Sequence, residues 1–177
     1  YPDMPSSLMH IYLIEAGPRL LAGMSEESSA HAEQFLREMG VNILLNKRVV
    51  DYRDHKVVLE DGTEIATRTF IWVSGVTGVT IGNLDASLIG RGGRIKVDSF
   101  NRVEGMNNVF AIGDQCIQLA DENYPNGHPQ LAQVAIQQGE LLAKNLVRME
   151  KGREMKPFHY RNLGSMATVG RNRAVAE

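Results

Sequence analysis

The sequence has little of what several classes of protein require. Its single cysteine, Cys116, excludes a disulfide within the chain, a CxxC redox pair and a cysteine zinc site. The five histidines do not have metal-ligand spacing, so no metal site is predicted. A formal net charge of -2 gives no electrostatic basis for binding nucleic acid. No apolar run approaches the roughly 20 residues of a transmembrane helix, and no signal peptide is recognisable.

The sequence also lacks the G-x-G-x-x-G motif with which a Rossmann domain binds pyrophosphate, because its glycine clusters at residues 75–78 and 90–93 are spaced differently. It begins with Tyr1 rather than methionine, and residues 171–177 form no closing element. We therefore expect a piece of a longer protein. The residues that are present, 43% hydrophobic and 23% charged over 177 positions, are typical of a globular protein.

The first part of the chain has a strand–helix–strand pattern, which predicts an α/β fold. The apolar run at residues 10–15 is typical of a strand buried on both faces, and residues 41–45 predict the following strand. Between them, Ser25 can cap a helix that Gly40 ends. A right-handed crossover would make the two strands neighbours in a parallel sheet.

The rest of the chain continues this pattern with one interruption. The turn Asp61-Gly62 indicates a β-hairpin. Residues 69–75 predict a buried strand with Trp72 in the core, and Cys116 is interpreted as a small buried filler. The other predicted elements are a hairpin over residues 56–68, strands at 95–98 and 108–114, a turn-rich stretch at 115–128, a helix over 129–152 with a close backbone contact at Gly139, and a β unit that starts at 166–171.

Two acidic residues follow predicted strands, where ligands of α/β proteins bind. Glu15 can accept both hydroxyls of an adenosine ribose and would repel a 2′-phosphate; alternatively it is a solvated surface acid. Asp114 can bind ligand hydroxyls while Gly113 lets the ligand approach the backbone. The alternative for Asp114 is a turn or helix N-cap residue.

The predicted helix over residues 129–152 carries three glutamines near its start. Gln133 and Gln137 are four residues apart and share one helical face, and Gln138 follows them. Their amides can line a pocket for a carbonyl ligand. Alternatively, they are neutral helix formers that face water.

Five segments together resemble the C-terminal portion of the type II NADH dehydrogenases, the single-chain NADH:quinone oxidoreductases of the two-dinucleotide-binding flavoproteins, within the pyridine nucleotide-disulfide oxidoreductase superfamily. The Ala-Ile-Gly-Asp sequence at residues 111–114 is shared across that superfamily. The glutamine motif at residues 132–138 is specific enough to restrict the resemblance to the family. The segments are LIEAGPRLL at residues 13–21, IWVSGV at 71–76, VFAIGDQ at 109–115, AQVAIQQ at 132–138 and MATVGR at 166–171.

The resemblance implies a partial Rossmann-like NADH-binding domain, with a parallel sheet plus a β-hairpin, joined to part of an FAD-binding domain. Residues 1–78 would belong to the NAD(H)-binding domain. Residues 79–152 would form the C-terminal part of the FAD-binding domain, including the glutamine-motif helix. Residues 153–177 would start a truncated C-terminal region.

The resemblance also implies a reaction: hydride transfer from NADH to FAD, followed by reduction of a membrane quinone. The reduced flavin would be favoured by the positive end of the helix dipole. By this resemblance, Glu15 would bind the adenosine ribose of NADH, and Ser74, Gly75 and Val76 would lie near its nicotinamide end. Gly113 and Asp114 would bind the ribityl chain of FAD, and Ala132 and Gln133 would approach the flavin ring. Gln137 and Gln138 would face the quinone.

Relative to the family, the sequence lacks the N-terminal flavin-binding half, the glycine-rich NADH loop and the C-terminal elements that dock on the membrane. We therefore expect this chain alone neither to hold FAD and NAD(H) tightly nor to oxidise NADH. Incomplete sheets predict self-association through their edges. The intact protein is expected at the cytoplasmic face of the bacterial inner membrane, as a peripheral respiratory-chain enzyme.

Two other interpretations remain. The first is another flavoprotein reductase of the superfamily, such as a sulfide:quinone or ferredoxin-type enzyme, although sulfide chemistry needs reactive cysteines and Cys116 is the only cysteine here. The second is a non-enzymatic nucleotide-binding or interaction module.

Overall fold

The computed structural model describes residues 9–79 and 81–177, which form two compact units. The first unit contains the chain up to Trp72 together with Gly164–Glu177, and the second contains Val73–Leu163. The elements are β1 (Ile11–Ile14), α1 (Glu26–Glu38), β2 (Val41–Leu44), β3 (Val49–Arg53), β4 (Lys56–Leu59), β5 (Glu64–Ala66), β6 (Ile95–Val97), β7 (Cys116–Gln118), α2 (Ala132–Glu150), β8 (Met166–Val169) and β9 (Arg173–Ala176), with 3₁₀ turns at Ala86–Leu88, Arg91–Gly93 and Gly113–Gln115.

The predicted strand–helix–strand unit is present in the first unit. β1 and β2 are parallel, from the pair Ile11 and Val41 to the pair Ile14 and Leu44. The Ser25 side chain accepts a hydrogen bond from the backbone N–H of Ser28 and so caps α1, as predicted. Burial on both faces of β1 was a wrong prediction, since Ile11 and Tyr12 are 58% and 46% exposed. The reason is that α1 packs on β2 and on the strands β8 and β9 more than on β1.

The predicted hairpin is confirmed, and a third strand extends it. β4 and β5 are antiparallel, and β3 pairs with the other edge of β4. Asp61 fixes the turn by accepting the backbone N–H of Thr63. Val57 and Leu59 alternate with more exposed residues along β4 and are buried.

The last part of the chain belongs to the first unit. β8 and β9 form an antiparallel hairpin in which Val169 and Val175 pack against Ala32 of α1. The Glu177 carboxylate accepts the backbone N–H of Ser25, with N···O distances of 3.1 and 3.0 Å. Residues 153–177 are thus divided between the two units, whereas the boundaries 1–78, 79–152 and 153–177 stay predictions about domains.

The second unit has its core around a second parallel pair. β6 was predicted at residues 95–98 and is confirmed; it pairs with β7 from Ile95 opposite Cys116 to Val97 opposite Gln118. The buried cluster on this pair consists of Ile95, Val97, Val103 and Cys116. The interpretation of Cys116 as a small buried residue is confirmed.

The strand predicted at residues 69–75 is absent. Ile71, Trp72 and Val73 are 74%, 60% and 84% exposed, so the placement of Trp72 in a core was wrong. Trp72 instead contacts Phe70, with ring centroids 5.9 Å apart. The apolar pattern predicted a strand, but no strand of the described chain pairs with this segment.

The strand predicted at residues 108–114 was also wrong. Only an isolated bridge between Phe110 and Arg102 forms there. A positive φ of 64° at Gly113 then turns the chain into the Gly113–Gln115 turn. The strand β7 follows directly, inside the stretch predicted to be turn-rich.

The helix predicted over residues 129–152 is present as α2. It begins at Ala132 rather than Pro129, and its N-cap residue Leu131 provides no side-chain cap. The close contact predicted at Gly139 was wrong, because a Cβ built there would lie 3.7 Å from Ile112, an ordinary distance. In the described part of the chain, no helix combines the length and apolarity needed to cross a membrane.

We expect Val175→Ala to destabilise the first unit, because it opens a cavity between β9 and α1. The side chain is 6% exposed, so the loss should be about 2 kcal/mol. Val50→Ala, at a position that is 55% exposed, is the matched control and should cost less than about 0.5 kcal/mol. Urea denaturation would measure both, and equal losses would contradict the packing described for Val175.

Candidate functional site

The centre of the candidate site is the Gly113–Gln115 turn, which packs against α2 in the second unit. The backbone N–H of Gly113 donates to Oε1 of Gln138, with an N···O distance of 2.7 Å. A Cβ built on Gly113 would lie 3.2 Å from the Cβ of Ala135, tighter than most such contacts. Glycine is therefore favoured here by both the positive φ and the close approach of the helix.

Gln138 lies under this turn and is only 1% exposed. Besides Gly113, its oxygen lies 3.7 Å from the thiol sulfur of Cys116. Burial raises the pKa of the Cys116 thiol, so this neighbour remains a neutral weak donor at physiological pH. The structure thus places Gln138 against the protein backbone, and its contact with a quinone stays a prediction.

The two polar residues of the turn are held differently. The Asp114 side chain is exposed, and its carboxylate forms no hydrogen bond with the described residues. The Gln115 amide instead makes two bonds to the backbone of Val79: the Val79 N–H donates to Oε1 at 2.9 Å, and Nε2 donates to the Val79 oxygen at 2.7 Å. The turn is therefore fixed while the Asp114 carboxylate is available to a ligand.

Arg94 connects this turn to the segment that leads into α2. Its buried guanidinium donates from Nε to the Cys116 carbonyl at 2.6 Å and from Nη2 to the His128 carbonyl at 3.1 Å. Burial lowers the pKa of Arg94, and the negative charge of Asp114 opposes that shift. This role could not be predicted from the sequence, because a basic residue after two glycines is typical of an exposed turn.

Three side-chain amides of α2 hold the extended segment at residues 156–163, and we call them the carboxamide ladder: Gln133, Gln137 and Asn145. Gln137 makes two bonds to the backbone of Arg161, at 2.9 and 3.0 Å. Asn145 makes two to the backbone of Lys156, at 2.8 and 2.9 Å. Gln133 accepts the Leu163 N–H at 3.0 Å. Sequence spacing predicted the shared face of Gln133 and Gln137 but not this partner.

Glu15 belongs to the first unit and follows β1. Its backbone N–H donates to the Leu44 carbonyl at 2.9 Å, and its Oε1 accepts the N–H of Gly17 at 2.7 Å. The second carboxylate oxygen accepts no hydrogen bond from the described residues. This half-buried carboxylate is therefore held in place with one oxygen available.

The remaining predicted positions are all exposed. Ser74, Gly75 and Val76 lie in a stretch without regular structure, and Gly75 has a φ of 92°. Ala132 is the exposed first residue of α2. Among residues 9–79 and 81–177, no group of three or more histidine, cysteine, aspartate or glutamate residues could hold a metal ion.

Comparison with protein families gives a match over residues 6–139 to the pyridine nucleotide-disulphide oxidoreductase family. The chain belongs to this family. The match includes β1, the Gly113–Gln115 turn and the start of α2, so the elements that carry the candidate site lie within the family's shared region.

Comparison with individual proteins shows members of this superfamily to which the chain is clearly similar. The chain is 31% identical over 170 residues to the type II NADH:quinone oxidoreductase of Haemophilus influenzae, with 96% of this chain and 38% of that protein covered. It is 34% identical over 180 residues to the enzyme NdhA of Mycobacterium tuberculosis, with 94% and 37% covered. These relatives confirm the resemblance found in the sequence. The chain spans less than half of their length.

Solved structures confirm the α/β fold of this family. NDH2 from Plasmodium falciparum, in complex with NADH, gives a TM-score of 0.81 at 18% identity, covering 95% of this chain and 49% of that chain. The sulfide:quinone oxidoreductase of Aquifex aeolicus gives 0.69 at 15% identity, covering 94% and 45%. At these identities the likeness shows the fold alone.

We expect Gly113→Ala to be more destabilising than Gly105→Ala. Both glycines have positive φ, at 64° and 75°, so both variants carry the strain of a left-handed alanine, about 1 kcal/mol. Only the Cβ at position 113 meets Ala135, whereas nothing lies within 4 Å at position 105. We expect a total loss of about 2–3 kcal/mol for Gly113→Ala in thermal or urea unfolding. Equal losses would contradict the close packing of the turn on α2.

Proposed function

We propose that the full-length protein is a flavoprotein that oxidises NADH by hydride transfer to FAD and reduces a quinone. In this proposal the present residues supply part of both cofactor sites. The observation that carries it is the Gly113–Gln115 turn, fixed to α2 by Gln138 with the Asp114 carboxylate left exposed. Identities of 31–34% to enzymes named type II NADH:quinone oxidoreductases support it. Because the chain covers 37–40% of such relatives, the activity is assigned to the whole protein.

The residues of the turn fit the ribityl chain of FAD. Both Asp114 oxygens can accept hydroxyl hydrogens, and Gly113 presents no side chain toward them. No side chain caps α2 at Leu131, so the positive end of its dipole is open to a ligand that gains negative charge on reduction. Ala132 and Gln133 begin that helix and would lie nearest the flavin ring.

The other residues would bind the two substrates. Glu15 would accept the ribose hydroxyls of NADH with its free oxygen, and the exposed stretch at residues 74–76 would lie near the nicotinamide. Gln133 and Gln137 would border the quinone together with the segment that they hold, and Gln138 would act through its bond to Gly113. FAD, when bound, supplies the two-electron chemistry, and the protein supplies position and electrostatics.

The location and assembly are part of the same proposal. Since the quinone is dissolved in the membrane, the full-length protein would act as a peripheral enzyme at the cytoplasmic face of the bacterial inner membrane. The 177-residue chain alone has no glycine-rich phosphate loop, so it would hold FAD weakly and not turn over NADH. Its exposed β1 would favour self-association, which light scattering would detect.

A sulfide-oxidising role is less well supported. The one cysteine of the chain, Cys116, is 1% exposed, and burial raises its pKa. Such a thiol does not provide the reactive thiolate that sulfide chemistry requires.

The test begins with the gene, whose reading frame upstream of Tyr1 should encode two glycine-rich strand–turn–helix motifs. The full-length protein is then purified, its flavin is identified, and NADH oxidation is followed with a short-chain quinone. We expect stoichiometric FAD and quinone-dependent turnover, and no turnover by the 177-residue chain alone. A full-length protein that binds FAD but passes no electrons from NADH to any quinone would contradict the proposal.

We expect Glu15→Gln to weaken the use of NADH in the full-length protein. Loss of a charged acceptor for the ribose hydroxyls should raise KM for NADH about tenfold with a smaller change in kcat. The preference for NADH over NADPH should fall as well, because the repulsion of the 2′-phosphate is lost. Glu26→Gln, an exposed acid of α1, is the control. An unchanged KM for NADH in Glu15→Gln would contradict the assignment of Glu15 to the NADH site.

A further inference from the structure

A buried histidine–aspartate pair lies beside the start of α2. Nε2 of His128 is 3.0 Å from Oδ2 of Asp121, and the two side chains are 1% and 11% exposed. The other oxygen of Asp121 accepts the backbone N–H of Asn123 at 3.0 Å. The hydrogen bond from His128 holds the pKa of Asp121 below its ordinary value, so this carboxylate is ionised at neutral pH. Nε2 therefore donates a hydrogen to this carboxylate, which leaves Nδ1 as the ring nitrogen that can exchange a proton with another group.

Two polar atoms of this cluster are buried without a partner among the residues that the structure describes. They are Nδ1 of His128 and the hydroxyl of Tyr160, and neither forms a hydrogen bond with those residues. Their rings are in contact, with centroids 5.8 Å apart at an angle of 71°. Burial raises the pKa of Tyr160, so its hydroxyl remains a donor. The two atoms are buried on rings that contact each other, and because a lone pair and a hydroxyl are complementary, they can share a hydrogen bond directly or through one water molecule.

Aromatic rings enclose this pair, and few charges face it. Tyr124 lies 5.0 Å from the His128 ring and 5.3 Å from the Tyr160 ring, and Phe158 meets His128 edge-on at 5.3 Å. The ionisable groups that face His128 are Asp121 and Tyr124 from its own loop, Tyr160 from the segment after α2, and Arg94, which binds the His128 carbonyl. Asp121 provides the single negative charge among them.

The cluster lies next to the residues assigned to the quinone. His128 precedes the N-cap residue Leu131, and Tyr160 precedes Arg161, whose backbone is held by Gln137. The carboxamide ladder therefore holds the segment that carries Tyr160 along the same helix that begins beside the proposed flavin site.

We propose that Asp121, His128 and Tyr160 form a proton relay that delivers the proton consumed when quinone is reduced. The relay rests on the proposed function. NADH supplies two electrons and one proton as hydride, whereas a hydroquinone contains two added electrons and two protons, so one proton comes from solvent. His128 holds this proton on Nδ1 as an imidazolium next to the Asp121 carboxylate. The proton then passes to the Tyr160 oxygen as the Tyr160 O–H bond breaks toward a quinone oxygen, which leaves His128 neutral and Tyr160 unchanged.

The test compares two electron acceptors in the full-length flavoprotein. Reduction of ferricyanide takes electrons without protons, so it measures NADH oxidation apart from the relay. His128→Gln and Tyr160→Phe should lower the ratio of quinone to ferricyanide activity about tenfold or more. Tyr124→Phe removes a hydroxyl from the same aromatic cluster, and His159→Gln removes an exposed imidazole; both should leave the ratio within about twofold.

A second measurement does not depend on turnover. In protein labelled with ¹⁵N-histidine, Tyr160→Phe should shift the Nδ1 resonance of His128, whereas Tyr124→Phe should not. Unchanged activity ratios in His128→Gln and Tyr160→Phe, or a Nδ1 resonance insensitive to Tyr160→Phe, would overturn the relay while leaving the proposed function intact. A wild-type protein that reduces ferricyanide but no quinone would instead overturn the proposed function, and the relay with it.

Discussion

The hydrogen bond between the Gly113 N–H and Gln138 is the contact on which the second unit depends most. It joins the turn after residues 109–112 to a helix that starts many residues later, and it satisfies a backbone donor that β pairing does not reach. The acceptor Gln138 is buried and the donor Gly113 is half-buried, so an amide left unpaired there would be costly. Together with the small side chain of Ala135, this bond brings Asp114 close to the start of α2, and Gln130 adds a hydrogen bond to the Asp114 carbonyl at 3.4 Å.

Side-chain amides perform the same task elsewhere in this unit. Gln115 pairs with Val79, Gln137 with Arg161 and Asn145 with Lys156, and each pair consists of one donated and one accepted bond. A primary amide has the same donor and acceptor arrangement as a peptide unit, so it can replace one residue of a neighbouring strand. These bonds hold extended segments in place where no sheet exists.

Much of the local structure could be predicted, because its causes are local. Ser25 and Gly40 bound α1, and Asp61-Gly62 forms the hairpin turn, since capping and turn preferences act within a few residues. The strands predicted at residues 69–75 and 108–114 were wrong because an apolar run alone does not show whether a neighbouring strand is available to pair with it. The sequence identified Asp114 as a candidate residue, but it predicted a strand end where the structure has a turn, and it did not predict the partners of Gln138, Arg94 and His128. Their contacts join segments that are separated in the chain. Helical spacing predicts which residues share a face of the helix, but it does not predict which segment packs against that face.

The contact of Glu177 with Ser25 makes the first unit discontinuous in the chain. The hairpin of β8 and β9 covers Ala32 on α1, yet more than a hundred residues separate the two in sequence, and the whole second unit is made between them. During synthesis, α1 must therefore leave the ribosome with its apolar face uncovered and wait for residues 164–177. The second unit has no such delay, since its segments are continuous. From the order of synthesis and from loop-closure entropy we expect the second unit to fold earlier, and β8 and β9, which are made after it, to complete the first unit.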